Sequence, residues 1–326
     1  MTATARAHPN IAIVKYWGRS DEKRNLPLTS SLSMTMGGVQ TTTTVRVDAN
    51  LSRDLVSIDG QPAPKPAHDR VVSHLDRLRA RSKERPRMEV VSRNDFPQGS
   101  GLASSASAFS ALTVAASRAL DLQLSPREQS VIARQGSGSA ARSLFGGWVV
   151  WHAGKTSDES FAQQVAPASA LDIVDLVAIV SRAHKKVGSQ EGHSLAMTSP
   201  LNQGRLAAVP SLLTRAQAAI LANDFAGVGQ VAEEDALLMH SVMMTSKPSL
   251  FYWEPATLSL LRIVRAARED GLACYFTIDA GPNVHVLTSA QDAIAVEGRL
   301  RIAGAMEVLR CPPGEGPTLL TTHLEA

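Results

Sequence analysis

Four short stretches of this chain place reactive residue types where chemistry could follow. The first runs Asn94-Asp95-Phe96-Pro97-Gln98-Gly99-Ser100-Gly101-Leu102-Ala103-Ser104-Ser105-Ala106. A strand pattern ends, a glycine-rich turn follows, and a helix begins on small residues. Glycines let several backbone N–H groups face one point, and a helix N-terminus adds positive potential there. The Ser104 and Ser105 hydroxyls could then reach phosphate oxygens or a magnesium ion; a merely tight strand–helix turn would use the same residues. The second stretch, Gln135-Gly136-Ser137-Gly138-Ser139-Ala140-Ala141-Arg142-Ser143, adds a guanidinium to two small hydroxyls. Arginine offers a planar fork of donors to phosphate or carboxylate, although a helix end followed by a surface arginine reads the same way. In the third, Asp279 sits where a strand turns into Ala280-Gly281-Pro282-Asn283, placing it as a base open to a cleft or as an acid bonding its own turn. The fourth puts Lys15 after the apolar run Ile11–Val14, where a snorkelling surface lysine is the commoner outcome.

Competing motifs fail on inspection. The Gly99/Gly101 pair has Ser104 where a dinucleotide fingerprint needs its third glycine. Gly154-Lys155-Thr156 resembles the end of a phosphate-binding P-loop, but Val149 occupies the leading glycine position. There is no Gly-x-Ser-x-Gly elbow for a serine hydrolase.

The elements that must hold these residues follow from hydrophobic period and turn signals. Strands are expected at Gln40–Val47, Leu55–Ile58 and Met88–Val91, with an amphipathic helix over His68–Lys83. Beyond the glycine-rich turn, a long helix is marked by Leu102, Ala106, Phe109, Leu112, Ala116 and Leu120. Ser125-Pro126-Arg127-Glu128 is a capping box with proline at the first helical position. Buried strands are expected at Gly147–Trp151 and Leu176–Val180, separated by a polar loop from His152 to Ala170. Helices then follow at Gly204–Asn223, Phe225–Met244 and Pro255–Gly271. Strands Cys274–Ile278 and Val284–Leu287, a helix over Asp292–Ala303 and a final strand near Met306–Leu309 close the chain. Strands and helices segregated in two halves predict an α+β protein divided near residues 180–190.

Composition excludes several classes. The 326 residues suffice for one large or two medium domains, and 44% hydrophobic with 19% charged residues is the balance of an ordered globular chain. No apolar run approaches bilayer length and the first ten residues lack a signal-type core, so membrane association and secretion are not expected. Two cysteines far apart, Cys274 and Cys311, fit a reducing cytoplasm and give no zinc pattern. A net charge of +3 is small for this length, and a nucleic-acid binder would usually concentrate Lys and Arg with interleaved aromatics. The densest basic stretch, Arg77–Arg87, reads as a solvated helix face.

Taken in order, these segments resemble the mevalonate diphosphate decarboxylase branch of the GHMP kinase family. The resemblance rests on Pro9–Gly18, Asn25–Ser33, Phe96–Ser107, Gly136–Gly147 and Thr277–His285, which together span nearly the whole chain. The Lys15-Tyr16-Trp17-Gly18 and Gly136–Gly147 stretches are specific to that branch, while the Gly101–Ala106 loop belongs to the wider family. It implies the GHMP kinase fold, two α/β halves with a deep cleft between them. Residues 1–183 would form an ATP-binding domain like ribosomal S5 domain 2, and 184–326 the C-terminal domain.

The resemblance also implies ATP and magnesium, commonly a homodimer, and ATP-dependent decarboxylation of (R)-5-diphosphomevalonate to isopentenyl diphosphate after phosphorylation of its 3-hydroxyl. Asp279 would take or orient the hydroxyl proton, Lys15 would hold Asp279 ionised, and Arg142 would grip the carboxylate. Ser137 and Ser139 would bind the 5-diphosphate, with Tyr16, Trp17 and Arg19 lining the pocket and Lys185, Ser189 and Gln190 forming a second phosphate contact. The loop from Asn94 and Pro97 through Gly99, Ser100, Gly101, Leu102 and Ala103 would hold ATP, and Ser104 and Ser105 would reach the metal. Two departures bear on the substrate. Gln190 stands where many bacterial members carry a basic residue, and His193 where methionine is usual; one fewer positive charge suits a 5-monophosphate. The same motifs could also serve a kinase that phosphorylates the 3-hydroxyl without decarboxylation, or a non-catalytic nucleotide-binding relative.

Overall fold

In the computed structural model, residues 1–96, 104–182 and 187–325 are described. The first half runs β1 (Thr2–Ala7), β2 (Asn10–Val14), β3 (Arg19–Asp21), β4 (Leu26–Pro27), β5 (Ser31–Thr35), β6 (Thr41–Val47), β7 (Leu55–Ile58), β8 (Gln61–Pro62) and α1 (Lys65–Arg79). It continues through β9 (Met88–Asn94), α2 (Ser104–Ala119), α3 (Pro126–Gly136), β10 (Trp148–Trp151) and β11 (Ala162–Ala166). The rest comprises β12 (Ile173–Ile179), α4 (Ser189–Leu195), α5 (Asn202–Leu221), α6 (Phe225–Met244), α7 (Pro255–Glu269), β13 (Cys274–Thr277), β14 (Val284–Ser289), α8 (Ala293–Ile302), β15 (Glu307–Cys311) and β16 (Thr318–Leu320).

Three main sheets result. The largest has the order β16-β1-β6-β9-β7-β8, antiparallel except where β7 meets β9. Alternate residues of β1, β6 and β9, among them Ala3, Ala5, Val45 and Val90, bury one face against Leu112, Ala115 and Ala116 of α2 and Leu75 and Leu78 of α1. The second sheet is β11-β10-β5-β2. Its strands β2, β5 and β10 are buried at every position, so they carry no polar–apolar alternation. Helices α5 and α6 cover it, joining Ile11, Leu32 and Met34 to Val209, Leu212, Val228 and Val231 in one core that also takes in Val177 and Ile179 of β12. The third sheet, β13-β14-β12-β15, packs on α7 and α8 through Leu260, Val264, Val296 and Leu300.

The α+β expectation holds, and several elements differ from their sequence reading. The segment His152–Ala170 is not all loop, because Ala162–Ala166 pairs as β11 with β10. The strand near Met306–Leu309 does not close the chain, because β16 returns to pair with β1. Strand β12 precedes the 180–190 boundary yet hydrogen-bonds only within the third sheet, to β14 and β15. The basic stretch Arg77–Arg87 is not uniformly solvated: Arg79 is buried, with Nη2 2.7 Å from the buried Asp54 carboxylate.

Candidate active site

Lys15 follows β2 and is 1% exposed, the reverse of a snorkelling lysine. Its backbone is held from both sides by a buried ion pair on the covering helices. Asp235 of α6 accepts the Lys15 N–H at 2.5 Å, and Arg205 of α5 donates to the Lys15 carbonyl at 2.9 Å. Arg205 also donates to both Asp235 oxygens, at 3.2 and 3.1 Å. With the main chain fixed, the Lys15 side chain reaches Asp279, Nζ to Oδ1 at 2.7 Å.

Asp279 follows β13 in a turn pinned at several points. Its carbonyl accepts from Gly281 N–H at 2.7 Å, while Asn283 Oδ1 accepts from Val180 and Ser181 N–H at 2.8 and 3.2 Å. Thr257 of α7 donates to the Pro282 carbonyl at 2.6 Å. The carboxylate is 30% exposed. Burial raises its proton affinity, but the Lys15 charge, the His285 imidazole, the Lys15 hydrogen bond and the Arg142 charge together outweigh that and hold it below the usual carboxylate range. His285 on β14 is itself fixed by Asp175 of β12, at 2.7 Å.

Arg142 lies on a short 3-10 helix, Gly138–Leu144. Its Nε donates to Asn10 Oδ1 at 3.1 Å and Nη1 to Ser31 Oγ at 2.6 Å. Asn10 in turn donates to Ser143 Oγ at 2.7 Å, which fixes its amide. Burial lowers the Arg142 pKa to about 10, so it remains a cation at neutral pH. Ahead of it, Ser105 and Ser137 hydroxyls meet at 3.1 Å. Gly138 has to be glycine here, because a Cβ would stand 2.7 Å from the Tyr16 ring. Tyr16 Oη accepts from Arg19 Nε at 3.2 Å, and Arg19 also donates to the Gln190 carbonyl at 3.0 Å.

These side chains line one cavity of about 250 Å³. Of the sequence candidates, Lys15, Tyr16, Trp17, Arg19, Ser104, Ser105, Ser137, Ser139, Arg142, Ser189, Gln190 and Asp279 all face it. Asn94 lies at the end of β9, bonded to Asp59 and Thr41, and is not among the lining residues. The candidates Pro97, Gly99, Ser100, Gly101, Leu102, Ala103 and Lys185 lie outside the described residues. Sequence reasoning assigned no role to Asn10, Asn25, Arg70 or Met239, which also line the cavity. Arg70 projects from α1, donates to the Gly136 carbonyl at 3.3 Å and stacks 5.0 Å from the Phe109 ring centroid.

The cavity wall thus carries two groups of different chemistry. In one, the Asp279 carboxylate is paired with Lys15 and feels the charge of Arg142; in the other are Arg19, which donates to the Tyr16 phenol, Arg70 and the serine hydroxyls of the lining. A base positioned beside cations can deprotonate a hydroxyl of an anionic ligand whose far end is held by the second group. Among the described residues no cluster of three or more His, Cys, Asp or Glu side chains could hold a metal by itself. Hard oxygen donors are nevertheless present in Ser104, Ser105 and Asp279. Magnesium, which keeps much of its shell as water and phosphate oxygens, fits such a wall.

Comparison with known proteins places the chain among named relatives. A family model described as the diphosphomevalonate decarboxylase-like N-terminal domain matches residues 7–162, and the mevalonate 5-diphosphate decarboxylase C-terminal domain matches 175–303. The diphosphomevalonate decarboxylase of Aspergillus fumigatus is 36% identical over 92% of this chain and 80% of its own length. The phosphomevalonate decarboxylase of Haloferax volcanii is 31% identical, covering 91% of each chain. A solved structure of MDDEF in complex with MVAPP, AMPPCP and magnesium superposes with a TM-score of 0.93 at 36% identity over 99% of both chains.

Proposed function

Since this chain belongs to the diphosphomevalonate decarboxylase family, with the GHMP kinase fold, we propose that it converts (R)-5-diphosphomevalonate to isopentenyl diphosphate at the expense of ATP. The observation that carries the reading in this molecule is the 2.7 Å contact between buried Lys15 and Asp279, with Arg142 on the same cavity wall. Asp279 accepts the proton of the substrate's 3-hydroxyl. The hydroxyl oxygen bonds to the γ-phosphorus of ATP as the bond to the bridging β,γ-oxygen breaks, releasing ADP. The tertiary carbon–oxygen bond then cleaves with phosphate as the leaving group. Electrons of the carboxyl carbon–carbon bond form the new double bond, and carbon dioxide departs. Phosphorylation is what makes this possible, since hydroxide is a poor leaving group.

Each residue has a physical task in that route. Lys15 keeps Asp279 ionised and offsets the negative charge that builds up during transfer. Arg142, held by Asn10 and Ser31, receives the substrate carboxylate. Ser137, Ser139, Tyr16, Arg19, Arg70, Ser189 and Gln190 form the receptor for the diphosphate, and Trp17 closes the wall beside it. Ser104 and Ser105 would hold magnesium, which supplies neutralisation of phosphate charge when bound. Pro97 to Ala103, flanked by Asn94, would embrace the ATP phosphates, with Lys185 as a further phosphate contact.

Gln190 favours a second reading, the 5-monophosphate as substrate, and the Haloferax volcanii relative bears that name. Against it, Arg19 and Arg70 still give the distal end two positive charges. Incubation with magnesium–ATP and either 5-phospho- or 5-diphosphomevalonate, following ADP and carbon dioxide, decides the matter. Turnover of the monophosphate alone would sink the diphosphate assignment, and ADP without carbon dioxide would leave only a 3-hydroxyl kinase.

We also propose a homodimer, supported by the family resemblance; sedimentation at the 34.7 kDa mass of one chain would count against it. For the division of the chain we keep 1–183 and 184–326 as the two halves, with β12 and β16 as the strands each lends to the other. A cytoplasmic site of action fits two buried free cysteines, and no described helix is long and apolar enough to cross a membrane.

A further inference from the structure

His193 is the one imidazole on the described cavity wall, and its hydrogen bonding dictates where its proton sits. The backbone N–H of Gly18 lies 2.9 Å from His193 Nδ1. An amide N–H can only donate, so Nδ1 must be an unprotonated acceptor. In the neutral ring the proton is therefore on Nε2. A doubly protonated ring would set two N–H groups against each other. Burial and the nearby charges of Arg19, Arg205 and Arg142 hold the imidazole well below the ordinary histidine range, so the ring stays neutral.

The orientation is fixed as firmly as the tautomer. His193 is stacked against Tyr16 at 4.1 Å and Trp17 at 4.6 Å between ring centroids. Gly192 lets helix α4 come this close, because a Cβ there would meet the Trp17 ring at 2.6 Å. Nδ1 is used by Gly18, whereas Nε2 has no partner among the described residues and is not sealed within the protein. A rigid, neutral N–H donor is thus left on a cavity wall that Tyr16, Arg19 and Gln190 also line.

Building on the proposed function, we propose that His193 Nε2–H donates to a phosphate oxygen at the 5-end of the substrate, making this histidine a specificity-determining residue that stands in for a cation at Gln190. A donor of this kind suits a phosphate already met by Arg19 and Arg70. It adds direction without adding charge, and a phosphate oxygen accepts from it more strongly than the hydroxyl of an unphosphorylated tail would.

The test compares His193→Met, which removes the donor, with His193→Gln, whose amide restores an N–H at similar reach. Binding of 5-diphosphomevalonate is measured by calorimetry without ATP, alongside KM for each substrate, kcat and thermal midpoint. We expect His193→Met to weaken binding of the phosphorylated substrate about 10-fold or more, with KM for ATP and kcat near those of the parent. His193→Gln should recover most of that loss. Unchanged affinity in His193→Met overturns the inference. So does an equal loss for ATP with a lowered midpoint that glutamine fails to rescue, which would mark the ring as a packing element only. A parent enzyme that binds diphosphomevalonate tightly but releases no carbon dioxide would sink the proposed activity while leaving this inference standing; no binding at all would sink both.

Discussion

Whether Asp279 can act as a base depends on its charge surviving burial, and here the balance is set by one neighbour above all. Burial alone would favour the neutral acid, and the Lys15 ammonium is the largest influence in the other direction. Because the folded value is depressed, the carboxylate contributes stability that is present above its unfolded pKa and lost as pH falls through the folded one. Its ionisation should therefore leave no acid limb in kcat/KM across about pH 5 to 8. Lys15→Met removes the largest downward influence while the burial that raises the pKa remains, so the Asp279 carboxyl should titrate higher and an acid limb should shift up towards that window, with kcat/KM rising as pH rises. An unchanged profile in that variant would refute the assigned role of Lys15. Asp279→Asn should abolish release of ADP and carbon dioxide while ATP still binds, measured by fluorescent nucleotide titration; near-normal turnover would reject Asp279 as the essential base.

At the scale of elements, the placement of Lys15 is the work of helices α5 and α6. Arg205 and Asp235 hold its backbone N–H and carbonyl, and both are almost fully buried. Asp235→Ala would leave the Arg205 charge without its partner, at a cost of about 3–5 kcal/mol in unfolding free energy measured by denaturant. We expect kcat to fall as well, since Lys15 loses its anchor; a loss of stability with full kcat would show the clamp to be structural only.

That clamp also marks the limit of what the sequence can tell. Helix α6 is legible to the residue, Phe225–Met244, because Asp224 supplies an N-cap and the apolar period is sustained. The capping box at Ser125 and Glu128 forms as its spacing implies. Strands β2 and β5 do not read as strands, since positions buried on both faces show no period of two. Strand β11, Ala162-Gln163-Gln164-Val165-Ala166, escapes for a different reason, with three polar or partly exposed residues between buried alanines. Lys15, read from local sequence alone, is a surface lysine; its burial is decided by residues 190 and 220 positions away. Arg70 gives no signal either, being one of three arginines on α1 with nothing local to set it apart.

The whole molecule is tied together by its last residues in a way that separates stability from catalysis. After β15 the chain passes between two loops of the second sheet. Gly37 N–H donates to the Pro312 carbonyl at 2.7 Å, Gly314 N–H to Thr35 at 2.8 Å, and Gly147 N–H to Gly314 at 2.8 Å. The fit requires glycine: a Cβ on Gly146 would stand 2.6 Å from the Gly316 nitrogen. The chain then adds β16 to the edge of β1, and beyond it His323 meets Thr4 at 2.7 Å and Leu324 N–H donates to Thr44 at 2.8 Å. None of these residues lines the described cavity. Ending the chain after Cys311 should thus remove several hydrogen bonds worth about 1 kcal/mol each, and expose β1 as an open edge prone to pairing with other chains. We expect a lower denaturant midpoint and concentration-dependent aggregation in size-exclusion chromatography. KM for both substrates, measured on the folded fraction at low protein concentration, should stay close to that of the full chain. If the midpoint is unchanged, β16 is an ornament on the sheet; if KM rises with stability intact, the C-terminal segment reaches the cavity by a route that the described contacts do not contain.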